Sequence, residues 1–271
     1  MRLTFLGTAA AEGYPAIFCI CDHCRKARLQ GGKNLRLRSA LLVNDDLLID
    51  FGPDIEAAAL RLNLSLWSVT TGLVTHAHMD HFFTGNFGMR GDAFTGRRPP
   101  PTMRLYGPRD VATILADAEP DLATVHLESH TVHAFDTWKS AGYTITAYHA
   151  FHAVESLEAL FYGVDDGQHA FLYASDTGSF PEDTRQALIG RSFDLIILEE
   201  TMGPGKYDQH LGFDSFLEQL GWMRTAGLLR PGGRVIAQHF SHSGNPLHAE
   251  LEAIFNPHDV EVAYDGLVIE M

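Results

Sequence analysis

One run constrains this chain more than any other: Thr75-His76-Ala77-His78-Met79-Asp80-His81. On extended backbone, residues two apart share a face, so His76 and His78 point the same way. A turn into a helix after them swings Asp80 and His81 toward a second point close by. Three imidazoles and a carboxylate packed this tightly suit Zn, Mn or Fe, the carboxylate favouring the harder ions. A fold that uses such a run must hold it rigid, and the end of a buried strand does so. Gly72–Thr75 reads as that strand.

The rest of the chain repeats the arrangement. Strand-like runs cover Arg2–Leu6, Ser39–Val43, Asp46–Asp50, Arg104–Tyr106, Tyr143–Tyr148, Ala159–Val164, Ala170–Ala174, Leu195–Leu198, Arg234–Gln238 and Glu261–Ala263. Helix-like runs cover Pro53–Leu62, Pro108–Ala116, Pro181–Gly190, Phe213–Ala226 and Pro246–Ile254. Pro suits the first helical turn, and it opens all but one of these. Alternating strands and helices predict an α/β fold. Several strands run out at polar residues: Asp50, then His149 and His152, then Asp176, then His239. Two metals held ~4 Å apart need more ligands than the first run provides, usually with a carboxylate that bridges. These strand ends are the candidates. Gly85–Pro101 reads as a long loop, and its Arg90, Arg97 and Arg98 are candidate phosphate clamps, Arg90 foremost.

The chain has 3 Cys, and all fall in Cys19-Ile20-Cys21-Asp22-His23-Cys24. Any single disulfide would leave one thiol over. Thiolates this close are better explained by a metal in a reducing compartment, which points to the cytoplasm. Three thiolates need a fourth ligand to close a tetrahedron, and closed four-ligand sites are structural. His23 is the local rival for that place, but it sits cramped between two ligands.

Composition limits the partners. With 20 Lys+Arg against 34 Asp+Glu the formal charge is −14, so the chain lacks the positive field of a nonspecific nucleic-acid binder and is not drawn to anionic membranes. The apolar run at the N-terminus stops at Gly7, too short for a signal peptide, and no run is long enough to span a bilayer. Gly7–Gly13 matches neither the dinucleotide nor the P-loop spacing. No linker or fixed-period repeat interrupts residues 1–271, which reads as a single domain with a zinc-binding loop at about 15–30.

His-x-His-x-Asp-His, a later His, Ser175-Asp176-Thr177 and a final His after a strand together resemble the metallo-β-lactamase superfamily. Within it the chain is similar to the branch of cyclic-phosphate phosphodiesterases accessory to the carbon–phosphorus lyase pathway. Leu6-Gly7-Thr8, Gly13-Tyr14-Pro15, Cys-x-Cys-x-x-Cys with His-x-x-His, Leu48-Ile49-Asp50-Phe51-Gly52, Tyr106-Gly107-Pro108 and Asp265-Gly266 carry that second likeness. It implies an αββα four-layer sandwich. It also implies roles. His76, His78 and His152 would hold one divalent ion, Mn or Zn. Asp80, His81 and His239 would hold a second, and Asp176 would bridge them beside a bridging hydroxide. Cys19, Cys21, Cys24 and His242 would hold a structural zinc. Asp80 belongs to the catalytic set, and His210 is the proton donor. His149 becomes a supporting or packing residue, and Asp50 supports a ligand His. His126, His130, His133, His169, His248 and His258 are expected at the surface or in packing.

The implied activity is hydrolysis of a small cyclic phosphodiester, such as a cyclic ribose phosphate or cyclic nucleotide, by a protein that forms a homodimer. This fold also hosts lactone, thioester and lactam chemistry, so the fold alone does not name the substrate. A tRNA-processing nuclease would need a basic arm, which neither charge nor length shows. A non-catalytic carrier like the pyrroloquinoline quinone synthesis B protein need not keep both metal sites, whereas here every ligand position is filled.

Overall fold

The computed structural model describes residues 1–96, 98–119 and 121–271. The first sheet uses β1 (Arg2–Gly7), β2 (Ala40–Val43), β3 (Leu47–Ile49), β4 (Thr71–Leu73), β5 (Met103–Gly107) and β6 (Leu127–Thr131), with β14 (Val268–Glu270) closing its other edge. The second runs β7 (Thr137–Ser140), β8 (Tyr143–His149), β9 (Leu160–Asp165), β10 (Ala170–Ala174), β11 (Phe193–Glu199), β12 (Leu229–Gln238) and β13 (Val260–Val262), in that spatial order.

Side-chain alternation explains why the two sheets stack. Leu3, Phe5, Leu41, Val43, Leu47 and Ile49 turn to the centre and meet Phe171, Tyr173, Leu195, Ile197 and Ile236 of the second sheet. The residues between them face outward. Leu6, Leu42, Leu48 and Leu105 pack under α2 (Ile55–Leu62) and α5 (Arg109–Ala118), through Ile55, Ala58, Val111 and Leu115. Leu172, Ile196, Leu198 and Val235 pack under α6 (Glu182–Leu188), α7 (Phe213–Thr225) and α8 (His248–Phe255), through Leu188, Phe216, Leu220, Leu251 and Phe255. Both faces of each sheet are buried, so the central strands read as continuous apolar runs. The product is the αββα sandwich that the resemblance implied. Among the described residues no helix is long and apolar enough to cross a membrane.

Several sequence expectations need correcting. Three strands were missed: β6, β7 and β14, each an edge of its sheet. Their patterns are weak because edges stay half exposed; β6 buries only Leu127 and β14 only Ile269. The 15–30 segment is not all loop, since α1 (Asp22–Gln30) follows the second cysteine. The 85–101 stretch contains two short helical turns, α3 (Gly85–Gly88) and α4 (Asp92–Thr95). Pro108 and Pro181 stand just before their helices and Pro53 and Pro246 two residues ahead, rather than inside the first turn.

Both sheets meet at one end. Phe240 N donates to Thr8 O and Ala10 N to Phe240 O, joining the continuation of β1 to that of β12. Leu160 N donates to Thr75 O, and Tyr162 Oη to Val74 O, joining β9 to the end of β4. The polar strand ends predicted from sequence all emerge there.

Candidate metal centre

The His motif leaves β4 as a tight turn, not a helix: His81 N and Phe82 N both donate to His78 O. Phe51 N donates to His81 O, and a Cβ on Gly52 would sit 1.9 Å from Asp80 O, so position 52 accepts only glycine without moving the turn. Asp50, Asp176 and His239, each just past its strand, hold left-handed backbone at φ +66°, +47° and +65°. Such conformations cost ~1 kcal/mol or more and persist where surroundings enforce them, which is common at functional sites.

The turn and three strand ends build two adjoining clusters. In the first, ligand atoms of His76, His78 and His152 lie within 4.8 Å of one another. His78 Nδ1 is 2.9 Å from His76 Nε2 and 3.1 Å from His152 Nε2. In the second, Asp80, His81, Asp176 and His239 meet the same limit. Asp176 lies between them. Its Oδ2 is 2.7 Å from His81 Nε2 and 3.4 Å from His76 Nε2, and its Oδ1 is 2.9 Å from His239 Nε2. His149 stays outside, 40% exposed and paired with Asp183 at 3.1 Å.

The far ring nitrogens are fixed by buried acceptors. His81 Nδ1 donates to Asp50 Oδ2 at 2.7 Å. His76 Nδ1 lies 3.0 Å from Thr75 Oγ1, which donates to Asp50. His239 Nδ1 lies 2.9 Å from Thr201 Oγ1, which donates to Glu199 Oε2. This turns Nε2 of each ring into the cluster, the arrangement that orients ligand imidazoles in metal sites.

The residues fit divalent cations. His81 Nε2, His239 Nε2 and Asp176 Oδ1 are buried, and although they approach one another closely none makes a hydrogen bond of good geometry among the described residues. Buried polar atoms are rarely left so, and an ion would satisfy these three together. Burial, aided by the neighbouring His81 charge, holds His76 well below the usual imidazole range, leaving its lone pair free. Burial opposes charge on Asp176 as well, but His239 and His81 outweigh it and hold the carboxyl well below its usual range.

A second set lies nearby. Cys19, Cys21, Cys24 and His242 offer ligand atoms within 4.8 Å, with Cys21 Sγ 3.7 Å from His242 Nδ1. His23 does not join them; its Nδ1 contacts His242 O. Burial works against a Cys21 thiolate, but the Cys24 N–H and His242 overcome it and bring the thiol down to about 6. Three sulfurs and an imidazole match a closed zinc site.

His210 stands over the first cluster, its ring 4.7 Å from that of His152 and its Nδ1 3.9 Å from Asp176 Oδ1. Nδ1 bonds Glu199 Oε1 at 2.7 Å. Burial disfavours the imidazolium, yet Glu199, then Asp176, push His210 up to about 9. Gln209 Oε1 accepts from Ala153 N, and a Cβ on Gly178 would meet Asp208 O at 1.9 Å. The 203–210 loop is thus packed against the His152 and Asp176 turns.

Glu199 was not singled out from sequence. Its signal was an acidic pair, Glu199-Glu200, ending an apolar strand. The structure also corrects Arg90. Its guanidinium donates to the carbonyls of Val125, Pro101 and His126, so it ties down backbone instead of facing substrate. Arg98 is exposed, and its carbonyl accepts from Trp67 Nε1. Arg97 lies outside the described residues. His248 is buried against Arg36 Nη2 at 2.9 Å, a packing role.

A model of the beta-lactamase superfamily domain matches residues 46–240. Among solved structures, a diphosphatase from the PhnP family is 24% identical with a TM-score of 0.77, covering 100% of this chain and 98% of that one. Zn(2+)-bound PqqB from Methylobacterium extorquens is 18% identical with a TM-score of 0.73, covering 100% of both chains. Human tRNase Z, short form, is 18% identical with a TM-score of 0.69, covering 100% of this chain and 99% of that one. No curated protein matches the sequence.

Proposed function

The chain belongs to the beta-lactamase superfamily, and from that premise we propose that it is a binuclear metal-dependent phosphodiesterase acting on a small cyclic phosphodiester. The observation that carries this reading is His210, hydrogen-bonded to buried Glu199 and set beside His152 and Asp176. A poor leaving group such as an alkoxide needs a proton, and a histidine beside a metal pair supplies one. The similarity to a PhnP-family diphosphatase and to a tRNase Z, both named for phosphorus–oxygen hydrolysis, supports the same class.

In this reading His76, His78 and His152 hold one divalent ion, Mn or Zn, and Asp80, His81 and His239 the other, with Asp176 shared. When bound, the ions supply a nucleophile at neutral pH and neutralise charge on the phosphoryl oxygens. The chain's own groups do the rest. Asp50, Thr75 and Thr201 keep the ligand imidazoles aimed inward. Glu199 engages Nδ1 of His210 and so leaves Nε2 as the donating nitrogen. Water adds at phosphorus, the phosphorus–oxygen bond to the alkoxide breaks, and His210 Nε2 gives its proton to that oxygen. The proton released by the water restores the imidazolium. The Cys19, Cys21, Cys24 and His242 set carries a structural zinc.

The test is elemental analysis combined with turnover of bis(p-nitrophenyl) phosphate in added Mn²⁺ or Zn²⁺. The reading expects three metal ions per chain and phosphodiesterase activity. One metal ion and no turnover would favour a carrier of the kind suggested by likeness to PqqB.

A further inference from the structure

His210 borders open space as well as the clusters. There it lines a cavity of ≈ 570 Å³ formed by the 203–212 loop, the Phe151 turn and the start of α7. The oxygen that receives the His210 proton belongs to the departing side of the substrate, so that side must lie against His210. This is the cavity beside it. Its chemistry is uneven. Asp208, Asp214 and Glu218 contribute three carboxylates, and Lys206 one ammonium. Asp214 and Glu218 are four residues apart on α7, hence on one face. Ser179 and Ser215 add hydroxyls, and Phe151 and Tyr207 add aromatic surface.

We propose that this cavity receives the leaving side of the substrate and that its acidic wall selects a neutral, hydroxyl-bearing group, such as a nucleoside, over one carrying a further phosphate. The inference rests on the phosphodiesterase reading and names its substrate class. Carboxylates accept hydrogen bonds from sugar hydroxyls, while the aromatic surface suits the face of a ring. A second phosphate would meet the like charge of these three carboxylates, and like-charge juxtaposition is a means of rejecting wrong partners. Lys206 on its own does not balance three carboxylates.

The experiment compares kcat/KM for adenosine 2′,3′-cyclic phosphate and for the same compound bearing a 5′-phosphate, in the metal-loaded protein. The unphosphorylated compound should be preferred by about tenfold at low salt, mostly through KM, and the preference should shrink as salt screens the charges. The double variant D214N/E218Q should reduce the preference several-fold, and Lys206→Glu should increase it. Circular dichroism and unfolding curves establish that both variants fold. Equal or better turnover of the 5′-phosphorylated compound, or a preference that neither variant moves, overturns the selectivity while leaving the phosphodiesterase reading in place. Failure to hydrolyse either compound or bis(p-nitrophenyl) phosphate overturns both.

Discussion

At the scale of single residues, His210 is where charge and geometry can be separated by experiment. Its proton is held by Glu199 against the cost of burial, and this brings the imidazole up to about 9. Two dications bound close by would lower that value. Activity on an alkyl ester should therefore fall along an alkaline limb at or below pH 9, as the donor loses its proton. His210→Gln should keep its metals, lose the limb, and slow alkyl-ester turnover by ~100-fold or more. Esters of p-nitrophenol, which leave without a proton, should slow far less. Equal slowing of both ester classes would assign His210 to positioning instead. The metal-ligand candidates were legible in the sequence because their spacing is dense and specific. Glu199 was not, because one carboxylate at a strand end carries no signal until the fold brings His210 and Thr201 to it. Arg90 misled for the converse reason: a loop arginine looks free until its carbonyl partners are seen.

At the scale of elements, the cysteine segment is the least self-sufficient. Helix α1 has nine residues and buries only Cys24 and Ala27, too little for a short helix to stand alone. Its N-cap is Cys21, whose Sγ accepts from Cys24 N at 3.4 Å, so one sulfur both caps the helix and belongs to the proposed zinc set. Two substitutions separate these tasks. Cys21→Ser should lose the zinc yet retain a capping oxygen, whereas Cys21→Ala should lose both and be less stable by a further ~1 kcal/mol. In both, limited proteolysis should open residues 17–30 while the other two metal ions stay bound. Metal content unchanged in Cys21→Ala would remove Cys21 from the set. The helix escaped sequence reading because six of its nine residues are polar and its one large apolar residue, Leu29, faces solvent. Central strands such as Phe193–Glu199 were found because both faces are buried and every position speaks for burial.

At the scale of the whole molecule, each proposed metal site draws ligands from both sheets. His76, His78, Asp80 and His81 follow β4 of the first sheet, whereas His152, Asp176 and His239 follow β8, β10 and β12 of the second. The cysteines follow β1, and His242 follows β12. The sandwich interior is held by apolar burial and needs no metal to form. Its polar end is different: buried imidazoles and carboxylates crowd there, and only a few backbone bonds join the sheets. Ions bound to the folded state alone stabilise it by about 2.7 kcal/mol when free metal is a hundredfold above Kd. Chelation should therefore lower Tm by several degrees without abolishing cooperative unfolding. Hydrogen exchange should rise in the 74–82, 150–153, 175–178 and 239–242 turns while β10 and β11 stay protected. Exchange that rises evenly through both sheets, or a Tm indifferent to chelation, would show that the ions do not fasten this end. The first pattern would make the ions part of the folding energetics of the whole chain. The second would leave catalysis, with no structural duty, as the reason to keep seven ligand positions across two sheets.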